Sequence, residues 1–382
     1  MREKRRRGEE RRRRPEKKPD GLLEWKKRKA HKALASSLNI KRSPHCLDCT
    51  SSTSPRLAPP RLASLCMRRR AVPYLASSLD GALIVRKWED MDIDILVKIV
   101  QSFDIFELTA GIGQVCSTWR LAACDPLLWR TLDLSMLKSN FIKIPLEPYV
   151  YVDGRSDKTL TRVLKIALNL SRGSILTLIF HFNLYVSDDQ LTYTAERCPR
   201  LKRLVMPAWN RIKKTGICRA IRMWKDLESL TMPSIANPPY LMEEIAQNCK
   251  NFSELKIMGP CDIFFASTLV TFLPTLKVLS LRCSTIWRDA LITILDGLPN
   301  LEVLNISHCL LIEVPPPPAA RRIVRELDES ILEKASRLRE FYTCMDDSCI
   351  MCQRARNDEG LMRWYKYEEG LWKADEVRSL AL

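Results

Sequence analysis

Three cysteines close to the C-terminus, Cys344, Cys349 and Cys352, have the residue type and spacing of metal ligands. Cys349 and Cys352 form a C-x-x-C pair, and structural zinc sites combine four thiolate or imidazole ligands at short spacings of this kind. The fourth ligand would have to come from a neighbouring strand, where His308 is the candidate. The alternative is that the three thiols are small, half-buried residues of a C-terminal cap. We favour the cap and predict no metal.

A second C-x-x-C pair lies nearer the N-terminus, at Cys46 and Cys49 beside His45. No further pair of ligands follows it at zinc spacing, so a metal site is not expected there. The sequence has 14 cysteines, no secretory signal and no run of about 18 apolar residues. We therefore expect reduced thiols, no membrane span, and a location in the nucleus, the cytoplasm or both.

Catalysis requires a convergent set of reactive groups, and the sequence offers no recognisable one. It contains four histidines but no HExxH motif, no Walker-type phosphate loop and no nucleophile elbow. Acidic pairs such as Asp188-Asp189 fall on predicted helices, where capping and the helix dipole account for them. We predict a protein that is not an enzyme, with no catalytic residues and no cofactor.

The charge of the chain is unevenly distributed. Residues 1–87 carry 25 Lys and Arg against eight Asp and Glu, which accounts for the whole net charge of +17. Their Arg runs, Pro and Ser predict a disordered basic tail, within which residues 11–18 are a candidate nuclear-localisation or polyanion-binding cluster. A solvated tail without a function is the alternative. Residues 88–382 are neutral, with 37 charges of each sign, so we do not expect the folded part to bind nucleic acid.

The elements that must position any site begin near Trp88, with three short helical segments in about forty residues. Asp92 is placed to cap the first helix, and Asp104 with Glu107 resembles a capping box at the start of the second. The third helix should end at Asp125-Pro126. Its apolar side is predicted to carry Val115, Trp119 and Ala122 or Ala123. Segments this short cannot bury a core alone, so they need a neighbour.

After these helices, apolar triplets of the form LxxLxL recur at steps of 24 to 26 residues. Steps of this size predict leucine-rich repeats, in which each unit is a strand plus a helix and stacked units share one core. We predict an α/β solenoid of about six to eight units, with Pro315–Pro318 in an insertion. The triplets are Ile175-Leu178-Phe180, Leu201-Leu204-Met206, Leu227-Leu230-Met232, Phe252-Leu255-Ile257, Leu276-Leu279-Leu281 and Leu301-Leu304-Ile306, with an earlier strand at Trp129-Leu132-Leu134 and a later one at Leu338-Phe341.

The run WEDMDIDILVKI, followed by VCSTWR and then DPLLWRTLDLS, resembles an F-box. Asp92 stands where that family usually has Pro, and this departure bears on a partner contact normally made by the Pro. With the repeats behind it, the chain resembles the plant F-box/leucine-rich-repeat proteins. The resemblance implies four parts: a tail at 1–87, a small helical F-box bundle at 88–134, repeats at 135–343 and a C-terminal cap at 344–382. In the cap, Trp364, Tyr365, Tyr367 and Trp372 are predicted to cover the open end of the repeats.

The resemblance also implies a function, namely substrate recruitment for a cullin-based ubiquitin ligase. The F-box would bind a Skp-type adaptor, and through it a cullin, while the repeats hold an unknown target protein. Carried over position by position, the adaptor contacts are Met91, Ile93, Leu96, Ile99, Val115, Trp119 and Leu128.

The target surface is predicted from the strand pattern alone. Residues between the leucines of each triplet point away from the shared core, and their mixed character suits a protein partner. The alternative is that they are simply solvated. The candidates are Arg203, Val205, Ser229, Thr231, Glu254, Lys256, Val278, Ser280, Val303 and Asn305.

Two other functions fit the same sequence. One is a leucine-rich-repeat scaffold or regulator whose F-box-like segment is only an N-terminal cap, and Asp92 favours it. The other is a nucleic-acid-associated regulator that acts through the basic tail. Adaptor binding by the helices would distinguish the first from ligase recruitment, and deletion of the tail would test the second.

Overall fold

A computed structural model describes residues 91–137, 141–143, 150–152, 154–181, 184–207, 209–232, 238–316, 318–357 and 374–382. Contacts divide the chain into two units, Met1–Lys87 and Trp88–Leu382, and every described residue belongs to the second. The predicted disorder of the basic tail and the predicted role of the aromatic residues at 364–372 lie outside the described residues.

The described part opens with three short helices, α1 (Ile93–Val100), α2 (Ile105–Ala110) and α3 (Ser117–Ala122). As predicted, Asp92 caps α1, and Asp104 and Glu107 form a capping box at the start of α2. Gly111 ends α2 and is followed by a 3-10 turn at Ile112–Gln114, and Asp125 caps a second 3-10 turn at Pro126–Leu128. We call residues 91–129 the helical module. Local capping hydrogen bonds, which the sequence predicts, set the starts of α1 and α2 in this module.

An eight-stranded parallel sheet follows the helical module. Its strand order follows the chain, so each repeat adds its strand to the growing edge of the sheet. The strands, in order along the sheet, are β1 (Thr131–Leu134), β4 (Thr177–Phe180), β6 (Arg203–Val205), β8 (Ser229–Met232), β9 (Glu254–Ile257), β11 (Val278–Ser280), β13 (Val303–Asn305) and β16 (Glu340–Tyr342).

The central leucines of the predicted triplets form an in-register ladder across this sheet. Leu204 lies opposite Leu178 and Leu230, and Leu279 lies opposite Leu255 and Leu304. All six of these side chains are fully buried. Burial of a leucine stabilises a fold by about 1.5–3 kcal/mol, so the ladder is a principal source of stability. The predicted triplet strands are confirmed, including the early one at β1 and the late one at β16.

The helices between the strands pack on one another in chain order and share one hydrophobic core with the leucine ladder. Buried residues of the helical module, including Leu96 and Trp129, belong to the same core. The helical module thus has the neighbour that its size requires. These helices are α4 (Gly154–Ser171), α5 (Asp188–Arg197), α6 (Lys214–Met223), α7 (Pro238–Asn248), α8 (Ile263–Phe272), α9 (Arg288–Gly297) and α10 (Glu329–Ala335). A further helix, α11 (Ile350–Asn357), follows the last strand and is not part of this stack.

Short second strands follow several of the sheet strands. A four-stranded sheet contains β10 (Pro260–Cys261), β12 (Thr285–Trp287), β14 (Leu310–Glu313) and β15 (Arg322–Val324), and two pairs join β2 (Phe141–Lys143) to β3 (Val150–Val152) and β5 (Tyr185–Ser187) to β7 (Trp209–Arg211). After the proline insertion the sequence predicts a helix from about Arg321 to Ser336, and the structure corrects the start of that helix. Residues 322–324 instead pair antiparallel with β14, and the helix begins only after Asp328, whose carboxylate accepts from the Ile331 N–H.

Candidate functional site

Trp129 lies where the helical module meets the first repeat, in the hydrophobic core that the two share. Its side chain is buried, and its indole Nε1 donates to the carbonyl oxygen of Ala123 at 2.7 Å. Because β1 starts two residues later, this hydrogen bond joins the end of α3 to the first strand of the sheet. The surface of the helical module therefore stands in a defined place at the head of the repeats.

The seven predicted adaptor contacts separate into three groups. Ile93 and Val115 are exposed, whereas Met91, Ile99 and Leu128 are half-buried. Leu96 and Trp119 lie in the core, so the prediction of direct adaptor contact is corrected for these two, which instead support the surface from below. Val115 also lies outside α3, and it does not share the buried side of Trp119 and Ala122.

Three exposed apolar residues of the helical module were absent from the predicted contacts: Ile95, Leu121 and Leu127. Ile95 is 49% exposed and lies one helical turn before the half-buried Ile99. The signal in the sequence is that α1 is apolar at nearly every position, IDILVKIV, which is more than one face can bury. Exposed apolar residues on so small a unit are typical of a protein-binding surface.

The predicted target surface is wrong for most of its residues. Of the ten candidates, only Arg203 and Glu254 remain half-buried, and the other eight are buried. They do point away from the leucine ladder, as predicted, but later parts of the chain pack against six of the eight, namely Val205, Lys256, Val278, Ser280, Val303 and Asn305. We call this side of the sheet the strand face. The covering parts are α11 and residues 374–382. We call residues 374–382 the C-terminal segment.

The C-terminal segment is joined to the strand face by a network of polar contacts around Asp375. The Lys256 ammonium lies 3.0 Å from Asp375 Oδ2, and both side chains are 0% exposed. Lys256 also donates to the carbonyl oxygen of Ala374, while Ser280 Oγ and Asn305 Nδ2 donate to the Asp375 carboxylate at 2.8 and 2.9 Å. Three neighbouring strands thus converge on one carboxylate of the C-terminal segment.

Glu376 forms the second part of the same network. Its carboxylate accepts from Arg282 Nε at 3.1 Å and from Asn305 Nδ2 at 2.6 Å, and it lies 3.2 Å from His308 Nε2. Burial would raise the pKa of Glu376, but the hydrogen bonds from His308 and Asn305 and the Arg282 charge hold it below its ordinary value. Burial lowers the pKa of Lys256, against the opposing effect of Asp375.

Apolar contacts complete the cover. Val377 and Leu380 of the C-terminal segment form a buried cluster with Val278 and Val303 of the strand face. A second cluster joins Ala355 of α11 to Val205, Met258 and Cys283, with Met351 and Leu382 packed against it. Much of the strand face is therefore interior, because both charged and apolar groups of α11 and the C-terminal segment have complementary partners there.

One residue of the sequence, the charged Lys256, indicates that the strand face is covered. Lys256 occupies a strand-face position that is Ser280 and Asn305 in the next two repeats. A buried lysine requires an opposite charge, and the acidic pair Asp375-Glu376 near the chain end supplies it.

The cysteines divide into two kinds. Cys198 and Cys249 lie at corresponding positions of two repeats, and burial raises the pKa of each thiol to about 12, as expected for unreactive core residues. Cys344, Cys349 and Cys352 instead lie together with His308, and the ligand atoms of these four residues are all within 4.8 Å of one another. The sequence alone favours a plain cap, and the structure brings these four residues together.

A helical head with exposed apolar residues, followed by a parallel sheet of leucine-rich units, defines the class of F-box proteins with leucine-rich repeats. Residues 93–135 match the F-box-like family. The chain is 68% identical over 300 residues to the F-box/LRR-repeat protein At3g48880 of Arabidopsis thaliana, an alignment that covers 78% of this chain and 97% of that protein.

More distant relatives are also F-box proteins. The putative F-box protein At4g11580 of Arabidopsis thaliana is 28% identical over 331 residues, covering 78% of this chain and 96% of that protein. The F-box protein SKIP1 of the same plant is 24% identical over 246 residues, or 58% of this chain and 79% of that protein. The chain belongs to the plant F-box/LRR-repeat proteins.

Among its described helices, none has the combined length and apolarity needed to cross a membrane.

Proposed function

We propose that this protein is a substrate-recruiting subunit of a Skp-cullin-F-box ubiquitin ligase. The observation that carries the proposal is the set of exposed apolar side chains on a helical module that shares its hydrophobic core with the repeats. The module binds a Skp-type adaptor, and through it a cullin, while the repeats, stacked as a solenoid, hold the target protein. The contribution of the chain is proximity and orientation, with the chemistry performed by a partner enzyme.

The remaining parts follow from this role. The division at 88–134, 135–343 and 344–382 assigns adaptor binding, target binding and cover of the strand face to successive stretches. The balanced charge of residues 88–382 supports a protein target rather than nucleic acid. The basic cluster at 11–18 supports a nuclear location, beside or in place of a cytoplasmic one.

Binding to a purified Skp-type adaptor tests the proposal. The full chain and the adaptor, mixed at micromolar concentration, are expected to elute together from a sizing column as a one-to-one complex. A chain that is folded by circular dichroism but elutes separately from the adaptor would refute adaptor binding. That result would favour the alternative of a repeat scaffold whose helical module is only a cap.

Replacement of Asp92 by Pro is expected to strengthen adaptor binding. Asp92 has φ of −54° and ψ of 135°, values that Pro adopts without strain, and the family usually has Pro at this position. The cost is the capping bond from the Asp94 N–H to Asp92 Oδ1 at 2.8 Å, worth about 1 kcal/mol. Titration calorimetry should therefore show a lower Kd and a slightly lower melting temperature. Asp92→Ala is the control, because it also removes the cap. If the Kd of Asp92→Pro were no lower than the Kd of Asp92→Ala, the assigned contact would be contradicted.

A further inference from the structure

Four side chains from three separate parts of the chain converge at the β16 edge of the strand face. His308 Nδ1 lies 3.4 Å from Cys352 Sγ and 3.5 Å from Cys349 Sγ, and Cys352 Sγ lies 3.6 Å from Cys344 Sγ. With every ligand atom within 4.8 Å of every other, one point in space is close to all four.

The fold explains how these residues meet. His308 follows β13 and Cys344 follows β16, the neighbouring strand, and the His308 N–H donates to the Cys344 carbonyl oxygen at 3.0 Å. His308 adopts φ of 60°, in the left-handed region that residues other than Gly rarely enter. Cys349 immediately precedes α11 and Cys352 lies in its first turn. The ligands are thus held by two adjacent strand ends and one helix start.

The distances fit a single tetrahedral ion. Zinc bonds of about 2.3 Å to sulfur and 2.0–2.1 Å to nitrogen imply ligand separations of about 3.8 Å between sulfurs and 3.5 Å between sulfur and nitrogen. The observed 3.4, 3.5 and 3.6 Å are within about 0.2 Å of these values. A disulfide needs sulfurs about 2.05 Å apart, which Cys344 and Cys352 are not. A two-iron cluster would spread its ligands over two metals, whereas these four surround one position.

The second nitrogen of His308 also has the partner expected at a metal site. Nε2 faces the Glu376 carboxylate at 3.2 Å, and Arg282 and Asn305 hold that carboxylate in place. Histidine ligands of zinc usually donate their other N–H to a carboxylate, which fixes the tautomer and the ring orientation. In the metal-free alternative, the cluster would be held by weak thiol contacts such as Cys352 Sγ to the Cys344 carbonyl oxygen at 3.0 Å.

We infer that His308, Cys344, Cys349 and Cys352 form a structural zinc site that fastens the C-terminal part of the chain over the strand face. Protein ligands occupy all four positions, so no place is left for a substrate or a reactive water. The ion joins α11 directly to the ends of β13 and β16. Through His308 and Glu376 it also positions the C-terminal segment. The inference stands independently of ligase recruitment, because it concerns the integrity of the cover and not the partner of the helical module.

The metal content of the full chain tests the site. Protein purified without chelators is expected to hold about one zinc per chain by elemental mass spectrometry. Cys349→Ser should bind zinc at least about 10-fold more weakly. Cys124→Ser changes another free, half-buried cysteine and should retain the metal. Full-length folded protein without zinc after supply of the ion, or undiminished zinc in Cys349→Ser, would overturn the inference.

Two measurements on the unaltered chain keep the test decisive if the variants fold poorly. Cobalt in place of zinc should give the intense near-ultraviolet absorption of thiolate-to-metal charge transfer together with visible bands of tetrahedral geometry. Chelation should increase hydrogen exchange of residues 350–357 and 374–382, and added zinc should reverse the increase. Octahedral cobalt bands, exchange that is insensitive to the chelator, or a disulfide between Cys344 and Cys352 in the protein as purified would each reject the site.

Discussion

Replacing Lys256 with Ala is expected to detach the C-terminal segment from the strand face and to lower the free energy of unfolding by about 3–5 kcal/mol. The reason is that Lys256 and Asp375 are both 0% exposed, so the change leaves a buried carboxylate without its cation. If the C-terminal segment is released, the Asp375 carboxylate regains water. The decrease in the free energy of unfolding then cannot exceed the free energy with which the segment binds the strand face. Urea unfolding followed by tryptophan fluorescence measures the loss, and hydrogen exchange of residues 374–382 measures the release.

Lys277→Ala is the matched control. Lys277 also pairs with an acidic residue of the neighbouring repeat, Glu302, at 3.6 Å, but both side chains are well exposed. Exposed pairs contribute about 0–1 kcal/mol, so this variant should unfold nearly as the unaltered chain does and keep its C-terminal segment protected. Equal effects of the two substitutions would show that the buried pair is not what holds the segment.

Introducing Asp at Ile95 or Val115 is expected to weaken adaptor binding about 30- to 700-fold, which corresponds to the 2–4 kcal/mol of an interface hot spot. Ile95 is 49% exposed and Val115 is 59% exposed, so the charge is solvated in the free protein and the fold should be preserved. In the complex the same carboxylate would be buried against an apolar surface without a partner. Titration calorimetry with the purified adaptor gives the change in Kd.

Leu332→Asp provides the control for this pair. Leu332 is also 49% exposed and lies near the start of a helix, as Ile95 does, but it belongs to α10 in the last repeat. Its replacement should leave the Kd unchanged. If Leu332→Asp weakened binding as much as Ile95→Asp, the helical module would not be the adaptor surface.

The repeat strands could be predicted from the sequence because their cause is local and periodic. A leucine such as Leu255 recurs at fixed spacing, and its neighbours Leu230 and Leu279 recur with it, so the in-register ladder follows from counting. The caps of α1 and α2 are equally local, since Asp92 and Asp104 bond to N–H groups two or three residues away. Interactions of this range are visible in a sequence.

The cover of the strand face could not be predicted in the same way. Lys256 and Asp375 are separated by more than a hundred residues, and no periodicity links them. The pattern showed correctly that Lys256, Ser280 and Asn305 leave the leucine core, but it cannot show what lies on the other side. A similar limit applies to Leu96 and Ile95. Both are apolar residues of α1, and only the tertiary packing decides that Leu96 is buried and Ile95 is not.

The metal ligands could be predicted from the sequence only in part. The C-x-x-C spacing of Cys349 and Cys352 was visible, and so was His308 as a possible fourth ligand. Their convergence depended on the pairing of β13 with β16, and the connection between these two strands is longer than the regular repeat because it contains an insertion. Once Tyr342 is placed beside Asn305 in that register, Cys344 necessarily lies next to His308.

The position of Asp375 and Glu376 in the chain has a consequence for synthesis on the ribosome. Chains emerge N-terminus first and begin to fold as they emerge, so the helical module and the repeats leave the ribosome before Asp375 and Glu376 do. Until then Lys256 and Asn305 lack the carboxylates that they contact in the finished protein. A nascent or truncated chain without Asp375 and Glu376 therefore has a more positively charged strand face than the folded protein, because these two carboxylates pair with Lys256 and Arg282 there.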